Sequence, residues 1–195
     1  YFYNGSGVGI ADINNDGLKD ILFTANQEMN KLFLNKGNLT FEDITESSNI
    51  NSKNKKWSSG VTFADVNNDG WLDIYLSQGG PYDSDSRKNL LLINNQDLTF
   101  TEKAEEYGLD DNGISTQSAF FDFDKDGDLD CVVMNENEFY GYDPISFFKK
   151  YENKSVLMEN SSHLYEQKDG KFINITEKAG LLSPTFGLGL CISDI

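Results

Sequence analysis

One short motif occurs three times in the sequence and begins a fourth time. Each complete copy reads Asp-x-Asn/Asp-x-Asp-Gly-x-x-Asp and is flanked by apolar, β-prone residues. The copies occupy residues 7–22, 60–75 and 118–132, and a shortened copy occupies 187–195. Their leading aspartates, separated by 53, 57 and 72 residues, are Asp12, Asp65, Asp122 and Asp194. A motif repeated at such intervals means that the chain is built from repeated structural units.

A second block repeats in the same phase, at residues 41–50, 100–109 and 172–181. Between the two blocks, short apolar runs and turn residues predict four short strands in each unit. Four strands per unit, at a period above fifty residues, are typical of propeller blades rather than of a helical solenoid. The sequence therefore predicts an all-β fold: a fragment of a β-propeller with three four-stranded blades and the start of a fourth.

The expected units form one propeller domain. The predicted blades are 1–54, 55–112 and 113–183, followed by the start of a fourth at 184–195. The third blade is longer because of an aromatic-rich insertion at about 135–161, and the second has a smaller insertion at 78–88. Both insertions fall between the second and third strands of their blades.

The aspartate loop has the composition of a calcium site. Oxygen ligands at positions 1, 3, 5 and 9 can converge on one ion, the glycine at position 6 permits the sharp turn, and position 7 offers its carbonyl. Without His or Cys, the ligands are hard oxygens that favour Ca²⁺ over Zn²⁺ or copper. We predict about three Ca²⁺ ions, one per complete blade. The predicted ligands are Asp12, Asn14, Asp16, the Leu18 carbonyl and Asp20; Asp65, Asn67, Asp69, the Trp71 carbonyl and Asp73; and Asp122, Asp124, Asp126, the Asp128 carbonyl and Asp130.

The loop residues allow two other interpretations. Asn, Asp and Gly also favour plain polar turns, but three complete copies favour a metal. An EF-hand needs helices on both sides and Glu at position 12, where this chain has Phe23, Leu76 and Val133. The EF-hand is therefore excluded.

Charge and cysteine content narrow the function classes. The formal net charge of −16 argues against nucleic acid and against anionic membrane surfaces. No apolar run is long enough to cross a bilayer. Cys131 and Cys191 lie within apolar runs, which favours two buried thiols, and a disulfide between them stays open.

These motifs resemble the FG-GAP or VCBS repeat of integrin α-like propellers. The pairing of Asp-Ile-Asn-Asn-Asp-Gly with Phe-x-Asp-Ile-Thr and Lys-Ala-Gly-Leu looks most like the ASPIC/UnbV-associated, cartilage acidic protein-like type. The resemblance implies about seven blades, braced by calcium loops between the first and second strands. It also implies that partners contact loops on the opposite face and that the rest of the propeller lies in missing chain.

The sequence predicts a secreted or surface-exposed scaffold that binds protein or carbohydrate and is not an enzyme. The alternative is the propeller part of a polysaccharide-active enzyme, and a purely structural spacer also stays open. The only histidine, His163, is predicted to be a surface strand residue rather than a catalytic base. Loops of this kind fill at extracellular calcium concentrations, so the expected location is extracellular, at the cell surface or periplasmic.

Overall fold

Twelve strands form three four-stranded antiparallel sheets in the part of the chain that the structure describes. This computed structural model describes residues 6–51, 57–81, 83–139, 143–187 and 189–193. In each sheet the strand order follows the chain, as β1-β2-β3-β4, β5-β6-β7-β8 and β9-β10-β11-β12. The predicted all-β fold with three four-stranded blades is confirmed.

The strands are short, as expected from the spacing of apolar runs and turn residues. In the first sheet they are β1 (Val8–Ala11), β2 (Asp20–Phe23), β3 (Lys31–Asn35) and β4 (Phe41–Asp43). In the second they are β5 (Ser58–Ala64), β6 (Asp73–Gln78), β7 (Leu90–Asn94) and β8 (Phe100–Glu102). In the third they are β9 (Ile114–Phe121), β10 (Asp130–Glu136), β11 (His163–Lys168) and β12 (Lys171–Asn174).

The described helices lie in the connections between strands. A 3₁₀ helix (Ser84–Arg87) follows β6, and α1 (Ala104–Tyr107) follows β8. The long insertion folds into α2 (Pro144–Lys150) and α3 (Lys154–Glu159). Side-chain oxygens of Asp143 and Asn153 cap these two helices by accepting backbone N–H groups of their first turns.

The sheets pack face to face in chain order. Leu22 and Leu32 of the first sheet and Ile74 and Leu92 of the second belong to one apolar cluster. The other face of the second sheet joins the third sheet in a separate cluster that includes Cys131. Close approach of the first two sheets needs Gly9, because a Cβ there would lie 2.6 Å from the Phe63 ring. Each sheet thus packs like a blade against its neighbour.

The antiparallel order separates two kinds of connection. The aspartate loops join the first and second strands at one end of every sheet, where the turns between the third and fourth strands also lie. Both insertions leave from the opposite end, between the second and third strands. We call these the loop end and the insertion end. Because β10 reaches Glu136, the long insertion begins at residue 137 rather than at about 135 as predicted.

The segment after β12 contains no strand among its described residues, 175–187 and 189–193. Two hydrogen bonds hold it against the third sheet. Gly187 N–H donates to the Asn135 carbonyl at 3.2 Å, and Thr116 Oγ1 donates to the Gly187 carbonyl at 3.0 Å. Its leading aspartate, Asp194, lies outside the described residues. The fourth blade and the blade boundaries remain predictions.

The two cysteines differ in environment. Cys131 is fully buried between the second and third sheets, as predicted. Cys191 is exposed, so the prediction of a buried thiol was wrong for this residue. It follows a segment without strand structure, where no neighbouring sheet covers it. Both thiols are free in the structure.

The repeated Gly-Leu pair after the fourth strand provides a matched test of the packing. Gly108 and Gly180 both have positive φ, at 79° and 73°. A Cβ on Gly108 would lie 2.5 Å from the Phe172 carbonyl oxygen of the third sheet, whereas a Cβ on Gly180 would meet nothing within 4 Å. We expect Gly180→Ala to cost about 1 kcal/mol of unfolding free energy, from the left-handed backbone alone. Gly108→Ala should cost about 3 kcal/mol because a clash is added.

Denaturant unfolding of the two variants beside the parent chain measures this difference. Equal losses for Gly108→Ala and Gly180→Ala would contradict the close approach of α1 to β12.

Candidate metal centres and insertion end

Each aspartate loop is closed by its own backbone. In the first loop, Asp12 accepts the N–H groups of Asp16 at 3.1 Å and Gly17 at 2.8 Å, and Asp16 accepts the Leu18 N–H at 2.8 Å. The second loop repeats these bonds at 3.0, 2.8 and 2.9 Å. In the third loop, Asp122 accepts from Gly127 at 3.1 Å and Asp126 from Asp128 at 3.1 Å. The loops therefore share one curl that turns their carboxylates inward.

The curl depends on left-handed backbone at two positions. Position 6 is glycine, with φ between 85° and 99°. Position 4 also has positive φ, at 57° in Asn15, 56° in Asn68 and 63° in Lys125. The sequence reasoning assigned the turn to the glycine alone and missed position 4. Asparagine there was the available signal in two copies, since it tolerates this conformation well.

The position 9 aspartates are buried and bind backbone on two sides. Asp73 accepts the Val66 N–H at 3.0 Å within its own loop and the Asn94 N–H at 2.9 Å on β7. Asp20 and Asp130 make the same pair of bonds, at 2.8 to 3.0 Å. We call this pair of bonds the position 9 staple, because it joins the aspartate loop to the third strand of its blade.

Burial affects the charge of the staple carboxylates. It raises the pKa of Asp73 to about 6 and raises the pKa of Asp20 and Asp130, against the opposing effect of the backbone N–H donors. Nearby loop carboxylates add to the rise. A cation in the loop would favour the charged forms instead.

The third loop brings its carboxylates closest together. One oxygen each of Asp122, Asp124 and Asp130 lies within 4.8 Å of the others. In the first two loops, position 3 is asparagine, and its amide donates to the position 5 aspartate at 3.0 Å in Asn14 and 3.1 Å in Asn67. The donors in all three loops are carboxylate, amide and carbonyl oxygens on a tightly curled backbone, so the residues present fit a calcium ion.

The predicted carbonyl ligand of the third loop carries a further carboxylate. Burial and the carboxylates of Asp126 and Asp130 raise the pKa of Asp128 to about 6. Its Oδ1 is buried and has no hydrogen-bond partner among the described residues. Asp128 also lines an open cavity of about 460 Å³ between the second and third loops, beside Tyr107 and Gln167.

Neighbouring loops are also tied to each other across sheets. The Asn15 side-chain amide donates to the Gly70 carbonyl of the second loop at 3.0 Å. The buried Asn94 donates to the Ile13 carbonyl at 2.8 Å and to the Leu72 carbonyl at 3.1 Å. Because of these hydrogen bonds, the conformation of one loop depends on the position of the next blade.

At the insertion end, aromatic and basic side chains of the long insertion meet. The rings of Phe139 and Tyr151 make an edge contact at 6.0 Å, and Lys150 Nζ lies 3.9 Å from the Phe139 ring centroid. On α2, Ile145 is 72% exposed and Phe148 is 68% exposed, three residues apart and so on one side of the helix. Part of the insertion packs on itself, and α2 presents an apolar surface.

A buried polar cluster anchors the insertion to the third sheet. Asp111 is buried and lies 2.5 Å from His163 Nδ1, and it accepts from the Tyr165 hydroxyl at 2.7 Å. His163 Nε2 is 2.9 Å from the Met158 carbonyl on α3. A carboxylate and a carbonyl can only accept, so both imidazole nitrogens donate and His163 carries a proton on each.

The prediction that His163 is a surface residue was wrong, because the residue is only 5% exposed. Burial opposes its charge, but the Asp111 carboxylate and the hydrogen bonds to Asp111 and Met158 raise the pKa of the imidazole. The pKa of Asp111 is lowered: burial alone would raise it, but His163 and the donors Gly113 and Tyr165 outweigh burial. The residues at the same repeat position in the other two blades are Lys31, which is exposed, and Asn89. Asn89 is buried too, and it donates to Tyr75 at 3.0 Å and Ser115 at 2.9 Å.

Three blade-like meanders with a curled aspartate loop in each define a repeat of the propeller type. Residues 3–76 match the FG-GAP-like repeat family. This match confirms, for that part of the chain, the resemblance found in the sequence. The chain is also similar to cartilage acidic protein 1 from Xenopus tropicalis, with 32% identity over 135 residues, or 69% of this chain. It spans about 20% of that relative's length.

Among solved structures, the chain is similar to a lectin from Agrocybe aegerita described as recognising non-reducing terminal N-acetylglucosamine. The TM-score is 0.45 at 17% identity, covering 87% of this chain and 38% of the lectin. A similarity at this level says nothing about the ligand of the present chain. No described helix is long and apolar enough to cross a lipid bilayer.

Proposed function

We propose that the chain is a calcium-stabilised propeller module that acts as a binding scaffold outside the cytoplasm. The observation that supports this best is the threefold repetition of the aspartate loop with the same closed curl and the same buried position 9 staple. Turns that served only to reverse the chain would not need three carboxylates each. In this proposal calcium has a structural role: it neutralises the loop carboxylates and fixes the loop end of each blade.

The ligands of the three ions are those predicted from the sequence. Side-chain oxygens at positions 1, 3, 5 and 9 and the carbonyl at position 7 would hold each ion. Chelation should therefore lower the thermal midpoint by several degrees, since a ligand that binds only the folded state stabilises it by mass action. Thermal melts in 1 mM CaCl₂ and in excess chelator, with calorimetric counting of bound Ca²⁺, measure both effects.

About three ions per chain and a lower midpoint on chelation are the expected results. Magnesium at the same concentration is the matched control, because it demands a smaller, octahedral site and keeps its water. An unchanged midpoint with no measurable Ca²⁺ binding would reduce the loops to polar turns and refute the proposal.

The proposed location follows from this metal chemistry. Extracellular calcium modules work at about 10⁻⁴ to 10⁻³ M, whereas cytosolic calcium would leave such loops empty. The similarity to FG-GAP-like repeats and to cartilage acidic protein 1 agrees with an extracellular, cell-surface or periplasmic protein.

Additional blades are the proposed neighbours of the first sheet. Its outer face carries Val8, Ile10 and Phe23, which are all exposed. The residues at the same repeat positions in the second sheet, Val61 and Phe63, are packed against the first sheet. The rest of a propeller would cover Val8 and Ile10 in the same way.

The insertion end is the proposed ligand face, for protein or carbohydrate. It supports this role because α2 exposes Ile145 and Phe148 beside basic residues on a chain that is otherwise strongly acidic. Phe148→Ala should reduce binding at least tenfold while leaving the melting midpoint within about 1 °C, since exposed substitutions rarely affect stability.

Immobilised glycans probed with labelled chain in calcium provide the first measurement. Leu39→Ala is the matched control, because Leu39 is 96% exposed but lies at the loop end. Glycan binding that persists in Phe148→Ala and is lost in Leu39→Ala would place the ligand at the loop end instead.

A non-catalytic role agrees with the surroundings of the only histidine. Both nitrogens of His163 are engaged in buried contacts, with Asp111 and with Met158. A histidine held in this way has no free nitrogen to take a proton from a substrate. The propeller part of a polysaccharide-active enzyme remains the alternative, in which another part of the protein would supply the chemistry.

A further inference from the structure

The two gaps between neighbouring aspartate loops differ, although the loops share one curl. Between the first and second loops, two side-chain amides donate hydrogen bonds across the gap. Asn15 donates to the Gly70 carbonyl at 3.0 Å, and the buried Asn94 donates to the Ile13 carbonyl at 2.8 Å. These two bonds close the first gap.

Neither bond is repeated between the second and third loops. The residues at the same repeat positions are Asn68 with Gly127 and Gln167 with Val66. The Gln167 amide donates to the Leu129 carbonyl of its own loop at 3.0 Å. In the described part of the chain, no hydrogen bond joins Asn68 to Gly127 or reaches the Val66 carbonyl. All four residues line the open cavity of about 460 Å³, so the second gap is this cavity.

The cavity is rich in hydrogen-bond acceptors. Because the loops share one curl, the Val66 and Gly127 carbonyls are expected to face the gap, like the two carbonyls that accept bonds in the first gap. Gln167 is 4% exposed, and its side-chain oxygen accepts no hydrogen bond from the residues described. Asp128 is half-buried beside Asp126, and its Oδ1 has no described hydrogen-bond partner. Such a set of acceptors favours a ligand with several N–H donors.

Charge and an aromatic wall favour a cationic ligand. The Asp128 carboxylate and the Tyr107 ring both line the cavity, on a chain whose net charge is −16. The ring already attracts one cation, since Lys171 Nζ lies 5.5 Å from its centroid, but Lys171 is not among the lining residues. Guanidinium fits better than ammonium, because it offers five N–H donors in a plane that stacks on an aromatic ring.

We propose that the cavity between the second and third loops binds an arginine side chain of a partner protein. The guanidinium would stack on the Tyr107 ring, donate to the acceptors of the cavity and pair with the Asp128 carboxylate. An open cavity admits a side chain while the backbone of the partner stays outside. This site lies at the loop end, separate from the ligand face proposed at the insertion end, and it does not require calcium.

Nuclear magnetic resonance titration of the isotope-labelled chain with N-acetyl-arginine amide tests the proposal. Excess CaCl₂ keeps the probe from simply replacing a cation in the aspartate loops. We expect saturable shifts of the Asn68, Gly127 and Gln167 backbone amides, with a millimolar dissociation constant. N-acetyl-citrulline amide has nearly the same shape without the charge and should cause no saturable shift. Free arginine should bind more weakly, because the acidic surface repels its carboxylate.

Two variants remove the proposed contacts, and two others serve as controls. Asp128→Asn keeps the side-chain shape and the predicted calcium ligands and should weaken binding about fivefold. Tyr107→Leu keeps an apolar side chain against the cluster of the second and third sheets and should also weaken binding about fivefold. Asp85→Asn removes a charge from the exposed 3₁₀ helix at the insertion end, and Phe148→Ala alters the face proposed there. Both should leave the affinity unchanged.

Three outcomes would overturn the proposal. Equal shifts in the first loop, at Asn15 and Gly17, would mean that the probe pairs with any exposed aspartate. Equal binding of the citrulline probe would show that the cavity takes a neutral ligand, and equal binding of free arginine would point to a free amino acid instead of a protein. Unchanged affinity in both Asp128→Asn and Tyr107→Leu would locate the probe elsewhere. The calcium-stabilised scaffold is tested separately by the chelation melts and survives each of these results.

Discussion

Replacing Asp73 with alanine is expected to lower the unfolding free energy by about 4 kcal/mol in chelator, and by more in calcium, where a proposed ligand is lost as well. Asp73 is 1% exposed, and its two oxygens accept the N–H groups of Val66 and Asn94. Alanine leaves both donors unpaired in the core, and each costs about 1–3 kcal/mol. The position 9 aspartate is therefore a structural residue independently of any metal. Urea unfolding under both conditions measures this.

Asp69→Ala is the matched comparison within the same loop. Asp69 is exposed, and it accepts the Trp71 N–H and the Asn67 amide at the loop surface. Asp69→Ala should lower the unfolding free energy clearly in calcium, where a proposed ligand is lost. In chelator it should change the unfolding free energy only slightly. If Asp73→Ala and Asp69→Ala lose the same unfolding free energy in chelator, the position 9 aspartate has no structural role beyond that of a metal ligand.

Asp111→Ala is expected to cost about 4 kcal/mol at pH 6, because it leaves the charged His163 buried without its partner. The Tyr165 hydroxyl and the Gly113 N–H also lose their acceptor. Asp111→Asn keeps an acceptor of nearly the same shape and should cost less. Because His163 holds α3 through Met158, protease cleavage within 143–159 should be faster in Asp111→Ala than in the parent chain.

The stability of this ion pair should depend on pH in two directions. The folded pKa of His163 is raised, so its contribution is complete below the unfolded value of about 6.5 and is lost as pH rises through the folded value. The folded pKa of Asp111 is lowered, so its contribution is complete above about 3.9 and is lost as pH falls through the folded value. The ion pair therefore contributes most to the unfolding free energy between about pH 3.9 and about pH 6.5.

His163→Gln isolates the pH effect, since glutamine does not titrate. The difference in unfolding free energy between the parent chain and His163→Gln should be largest near pH 5–6 and should decrease above the raised pKa. The other titratable groups near the pair are Tyr75, Tyr165 and Cys131, whose pKa values are all raised well above their usual range. They stay neutral across this window. A difference that is constant from pH 5 to pH 9 would show that His163 does not carry a charge.

Much of the fold could be predicted because the sequence repeats. Copies of Asp-x-Asn/Asp-x-Asp-Gly-x-x-Asp placed the loops, and the β-prone residues that flank each copy predicted strands such as β1 (Val8–Ala11). The loop ligands are determined by local sequence, so the curl around Asp12 or Asp65 follows from nine residues. Whether these loops hold calcium remains a prediction.

The remaining features depend on contacts between distant residues, which a repeat cannot encode. His163 pairs with Asp111 across 52 positions, and neither residue belongs to the repeated motif. Asn94 reaches the Ile13 carbonyl across 81 positions. In the structure, Asp73 at position 9 accepts the backbone N–H of Asn94 on β7, whereas the sequence spacing indicated only a metal ligand. Insertions are the least predictable parts, because α2 and α3 have no counterpart in the other blades.

The two apolar clusters meet only in the middle sheet, and this has a consequence for local stability. Every residue of β6 and β7 is buried, whereas the first and third sheets each leave one face less covered. Opening an outer sheet disrupts one cluster, but opening the middle sheet disrupts both. Amide protons of β6 and β7 should therefore exchange with solvent most slowly, and only through global unfolding, while those of β1 and β12 exchange through smaller local openings.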